Sequence, residues 1–124
     1  MRRFTTKLLF GAALLAPVLA GAPVAQAAGL DGNWSVLIIT EKGDCDQAYR
    51  YSVNVDRGHL KYSGDAAVNM DGTVADNGAV KVSIRLGEKG ASGIGKLSGS
   101  SGGGTWQGAA ANNSCAGRWE AEKR

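Results

Sequence analysis

From Trp34 onward, apolar and polar residues alternate with a period of two, and glycine, asparagine and aspartate break the run at short intervals. That is the pattern of half-buried β-strands joined by tight turns. Tyr49, Tyr51, Val53 and Val55 share one face, with Arg50, Ser52 and Asn54 on the other. Asp56-Arg57-Gly58 then turns the chain into a short strand with Leu60 and Tyr62 inward and His59 and Lys61 outward. After Ser63-Gly64-Asp65 come Val68, Met70, Gly72 and Val74 on one side of the next strand. Asp76-Asn77-Gly78 is the clearest hairpin turn, because Asn and Gly tolerate positive φ at little cost. It leads into Val80, Val82, Ile84 and Leu86, alternating with Lys81, Ser83 and Arg85. Trp34 to Thr40 differs: Val36, Leu37, Ile38 and Ile39 are apolar on both faces, which predicts a central strand covered on both sides.

Further strands are predicted over 91–97, 104–108 and 116–122, while Ser98–Gly104 and the polar stretch 109–114 read as loops within the domain. No segment after the N-terminal region carries a 3.6-residue apolar period or a helix cap leading into one. The result is an all-β chain of about eight short strands in an antiparallel meander. Closure into a small up-and-down β-barrel removes the edges that an open sheet would expose.

The N-terminus follows a different rule. Met1–Lys7 is basic, Leu8–Ala22 is almost wholly apolar, and Ala25-Gln26-Ala27 has the small-x-small form that signal peptidases recognise. Residues 1–27 are expected to be a cleaved signal peptide, with residues 28–124 as a single exported domain, periplasmic or secreted. The apolar run is shorter than the ~20 residues of a spanning helix, and Pro17 and Pro23 interrupt its end, so no stable membrane insertion is expected after cleavage.

Cleavage changes the charge. Of fourteen basic residues, Arg2, Arg3 and Lys7 leave with the signal, so eleven remain against eleven acidic ones. No cluster of Lys and Arg interleaved with aromatics survives, which argues against a nucleic-acid partner. Cys45 and Cys115 are the only cysteines, and a pair in an exported chain is expected to bridge. No Cys-x-x-Cys spacing points to redox or metal chemistry.

Each tryptophan occupies the same frame: Gly32-Asn33-Trp34, Gly104-Thr105-Trp106 and Gly117-Arg118-Trp119. A small residue before an indole marks strand positions where the backbone approaches a neighbour and the ring fills the space, so Trp34, Trp106 and Trp119 are expected in the core. An eight-stranded barrel has room inside for side chains or for one small ligand. Glycines at 72, 93, 95, 104 and 117 leave space, and the indoles with Tyr49, Tyr51 and Met70 are expected to fill it.

Candidate chemistry is sparse. His59, the only histidine, has no partner marked by the sequence and reads as an exposed strand residue. Asp44 and Asp46 flank Cys45 but lack the remaining oxygen ligands of a calcium loop. His59 or Met70 would each be a lone axial ligand, without a haem-attachment motif. No enzyme activity, metal or cofactor is expected.

Gly32-x-Trp34 resembles the opening of lipocalins and related small barrels, which implies barrel shape more than ligand carriage. In size and layout the chain is also similar to bacterial Inh-type metalloprotease inhibitors, although Cys115 falls later than the bridge of that family. Trp34, Cys45, the Gly-Ser-rich residues 98–106 and Cys115-Ala116-Gly117-Arg118-Trp119 together resemble small secreted bacterial β-barrel proteins of unknown function. The expectation is a monomeric, non-catalytic module that acts through its loops on a protein or cell-envelope partner, with an inhibitor-like mode among the options. The alternative is a small-ligand carrier with a lipocalin-like cavity.

Overall fold

The computed structural model describes residues 29–65, 67–110 and 113–124. The expected signal peptide, residues 1–27, with its Ala25-Gln26-Ala27 pattern, lies outside these residues. Eight strands follow in chain order: β1 (Gly32–Lys42), β2 (Ala48–Asp56), β3 (His59–Tyr62), β4 (Asn69–Val74), β5 (Ala79–Leu86), β6 (Lys89–Ser98), β7 (Ser101–Ala110) and β8 (Asn113–Lys123). Each pairs antiparallel with the next, and β8 returns to β1, closing an up-and-down barrel. The strand alternation read from the chain sets the two faces. Trp34, Val53, Val55, Leu60, Val74, Val80 and Leu97 are buried inside, while Arg50, Lys61, Asp71, Lys81, Arg85, Glu120 and Glu122 stand outside. Apolar inside and charged outside is the reverse of a barrel wall facing lipid.

Turn chemistry fixes the register at the closed end. Arg57 and Gly58 both take positive φ between β2 and β3, the geometry of a two-residue hairpin turn that matches strand twist. At Asp76-Asn77-Gly78 the turn is longer than two residues. Gly78 N donates to Ala75 O at 2.8 Å, and Asn77 Oδ1 accepts from Ala79 N at 3.0 Å. Gly78 alone of the three takes positive φ.

Two expectations need correction. The glycine-rich residues 98–104 are not a loop: β6 runs to Ser98, a two-residue turn follows, and β7 starts at Ser101. Likewise, most of the polar stretch 109–114 is strand, since β7 reaches Ala110 and β8 begins at Asn113. Composition suggested flexibility; cross-strand packing imposes extension. The second correction concerns β1. Leu37 and Ile39 face outward, and among the described residues no second layer covers them. Leu37 pairs with Arg50 and Glu120, and Ile39 with Arg118, so long charged side chains flank the apolar surface and half-bury it.

The end of the barrel where β1 starts is sealed. Leu30, 2% exposed, sits in the core, and Trp34 Nε1 donates to its carbonyl at 2.9 Å. Lys123 Nζ reaches Gly29 O at 2.6 Å, and Arg57 N donates to Asp31 Oδ1 at 3.1 Å. These three tethers hold residues 29–31 across the opening.

Candidate functional site

Among the described residues the opposite end is open, and the reason lies in the distribution of side-chain sizes. Each strand contributes an inward residue at every second position. In the sealed half those residues, with Leu30, meet in the centre. In the upper half β1 and β2 contribute Val36, Ile38, Tyr49 and Tyr51, and β4 contributes Met70. Above Trp106, the facing wall of β6 and β7 offers the small residues Gly90, Ala91, Ser92, Gly93, Gly108 and Ala109. Small residues opposite large ones leave a hollow of about 500 Å³, within the range of small-molecule sites. Val53, Leu60, Val80, Trp106 and Trp119 form its floor. The expectation of a filled interior therefore holds only for the sealed half: the indoles are buried, but Tyr49, Tyr51 and Met70 line a space instead of closing it.

Two of the indoles owe their positions to glycine. In the β7–β8 register Gly104 faces Trp119 and Trp106 faces Gly117, so the two Gly-x-Trp frames interlock head to tail. Each ring crosses the glycine of the partner strand and reaches one strand further. Trp119 Nε1 donates to Ile94 O on β6 at 3.1 Å, and Trp106 Nε1 donates to Ile39 O on β1 at 3.0 Å. A Cβ on Gly104 would collide with Ile94 O and lie 2.7 Å from Trp119 Nε1; one on Gly117 would collide with Ile39 O. With Trp34 bound to Leu30 O, every indole N–H is satisfied by backbone, as burial requires. The rings thus present apolar surface to the hollow and no free donor.

Tyr49, Tyr51 and Tyr62 form a chain of edge-on ring contacts, with centroids 6.1 Å and 5.9 Å apart. Tyr51, in the middle, has its phenol pushed above the usual range, chiefly by burial and then by Tyr49 and Tyr62. It is therefore a neutral hydroxyl at physiological pH.

The mouth is built by the β1–β2 loop, the β5–β6 turn and the start of β8. Cys45 and Cys115 are bonded across 70 residues of chain, which ties the β1–β2 loop to β8 at the rim. Thr40 Oγ1 donates to Asp46 O at 2.6 Å and Cys45 N to Cys115 Sγ at 3.2 Å, ordering the same loop. The bridge is consistent with an oxidising, extracytoplasmic compartment. Among the described residues, charge enters the lining only at the rim, through the exposed Asp44, Asp46 and Lys89.

The remaining candidates are dispersed. His59 is exposed on the outer face of β3, whereas Met70 lines the hollow, so the two do not share a site. Asp44 and Asp46 flank the bridged Cys45, and among the described residues no three His, Cys, Asp or Glu side chains converge to hold a metal. Sequence reasoning missed Leu30 as the floor seal and Ala91 and Gly108 as the thin wall. The available signals were an apolar residue set between Gly29 and Asp31, and the low side-chain volume at alternate positions of 91–108. Comparison with family models, curated proteins and solved structures returns no match to this chain, so the site rests on its own geometry, a sealed apolar cup with a stapled, charged rim.

Proposed function

We propose that this protein is an exported, monomeric, non-catalytic carrier that holds one small apolar molecule in the upper half of its barrel, in the periplasm or after secretion. The observation behind this reading is the hollow of about 500 Å³, walled by Val, Ile, Tyr, Trp and Met side chains and open at one end only. Leaving such space empty forfeits dispersion contacts that a filled core would make, and a ligand restores them. A module acting through loops on a protein or envelope partner has only the rim to work with, because the turns at the sealed end are tight.

Native mass spectrometry of the protein purified from its producing cells tests the proposal. A bound small molecule is expected, and Ala91→Trp, which fills the hollow from its thin wall, is expected to abolish it while leaving the far-ultraviolet circular dichroism unchanged. Absence of any adduct, together with no uptake of the neutral dye N-phenylnaphthylamine by the unmodified protein, would refute it.

A further inference from the structure

The hollow has little polar equipment, and what it has is specific. The two indole N–H groups at its floor are already spent on Ile39 O and Ile94 O. Below the rim, the lining contains no charged side chain among the described residues. Apart from the exposed Ser92 and Asn113, what remains is the pair of tyrosine hydroxyls, on adjacent inward positions of β2, for which no hydrogen bond to any described residue is formed. A half-buried hydroxyl without a protein partner is a group positioned to meet a ligand or a water.

The rim adds a bias. Asp44 and Asp46 stand on the stapled β1–β2 loop, and among the described charged residues that line the hollow Lys89 alone opposes them. A carboxylate or sulfonate drawn into the cup meets no cation inside and passes two carboxylates at the entrance, and burying an unpaired charge is heavily disfavoured. The flat faces of Trp106 and Trp119 and the edges of Tyr49 and Tyr51 suit planar rings, which prefer offset and edge-on contacts. Resting on the carrier reading, we infer that the cup selects uncharged aromatic or polycyclic molecules bearing one hydrogen-bonding group, which Tyr51 and Tyr49 hold, and rejects organic anions built on the same rings.

Two dyes with one body separate charge from shape. N-phenylnaphthylamine is neutral, and anilinonaphthalene sulfonate is the same skeleton with a permanent negative charge. Titrated into the purified oxidised protein and followed by fluorescence, the neutral dye is expected to bind at least about tenfold more tightly, since an unpaired buried charge costs more than the corresponding free energy. Equal or tighter binding of the sulfonate overturns the selectivity while leaving the carrier reading intact. Failure of both dyes overturns both. The hydroxyl is tested with Tyr51→Phe, which keeps the ring. It is expected to weaken N-phenylnaphthylamine by about five- to tenfold, the value of one hydrogen bond, and to leave phenylnaphthalene, which has no N–H, unchanged. Tyr49→Phe is the second variant if the first perturbs folding. Equal losses for the two ligands in both variants, or no loss for either, remove the hydroxyls from the site.

Discussion

Replacing Gly104 with alanine adds a single methyl group to β7, yet the surroundings make it a severe change. The new Cβ would overlap Ile94 O, lie 2.6 Å from Gly95 Cα and stand 2.7 Å from Trp119 Nε1. The first two obstacles are backbone of the neighbouring strand, so relief requires β6 and β7 to separate; overpacking of this kind costs about 1–3 kcal/mol. The third displaces the Trp119 ring and breaks its 3.1 Å bond to Ile94 O, and a buried N–H left without an acceptor costs about 1–3 kcal/mol more. The total is roughly 2–6 kcal/mol, a large part of the ~5–15 kcal/mol that holds a domain of this size together. Urea unfolding of the oxidised protein, followed by far-ultraviolet circular dichroism, measures it. Thr105→Ala, on the exposed outer face of the same strand, is the control and should stay within ~0.5 kcal/mol. Adding Trp119→Phe to Gly104→Ala removes the orphaned donor, so the pair should be less destabilised than the sum of the single changes by about 1 kcal/mol or more. A Gly104→Ala variant as stable as Thr105→Ala, or strict additivity with Trp119→Phe, would refute the interlocked arrangement.

Three other outcomes follow from the same geometry. Reduction of Cys45–Cys115, or Cys115→Ser, should lower stability by about 4 kcal/mol, because the bridge closes a 70-residue span, and denaturant midpoints with and without reductant read this directly. Leu30→Ala should cost about 2–5 kcal/mol, since Leu30 is 2% exposed at the sealed end, and equal midpoints would show that residues 29–31 do not form a floor. The folded Tyr51 phenol holds its proton more tightly than the unfolded one, so its contribution is complete below the ordinary value of 10.0 and is lost as pH rises through the higher folded value. Stability should therefore fall more steeply above pH 10.0 in the native protein than in Tyr51→Phe, and parallel alkaline profiles of the two would contradict it.

The barrel was largely legible because the information is local. Period-two alternation in 49–55 and 80–86 assigns each side chain to a face, and Asn77-Gly78 marks a reversal without reference to the rest of the chain. The glycine-rich stretch misled for the opposite reason. Gly102 to Gly104 are strand because β6 and β8 pair on either side of them and Trp119, fifteen positions beyond Gly104, lies over Gly104, and no window of sequence around residue 104 contains that partner. The hollow was hidden by a further step. Alternation states which residues point inward, but the volume left over depends on which of them face each other across the barrel. That Tyr51 stands in the same cup as Ala91, Gly93 and Gly108 is a property of closure. Leu30 shows the limit most plainly, since a single apolar residue ahead of the first strand carries no period at all.

The crossed glycines and tryptophans of β7 and β8 have a consequence for how this chain can change over time. Gly104 and Trp119 share one space, as do Gly117 and Trp106, and the rings anchor to β6 and β1 on either side. Mutational drift at one member is tolerated only when its counterpart on the other strand shrinks or grows to match. In a family of descendants these four positions should vary as two linked pairs, while the outward Thr105 and Arg118 between them are left to change independently.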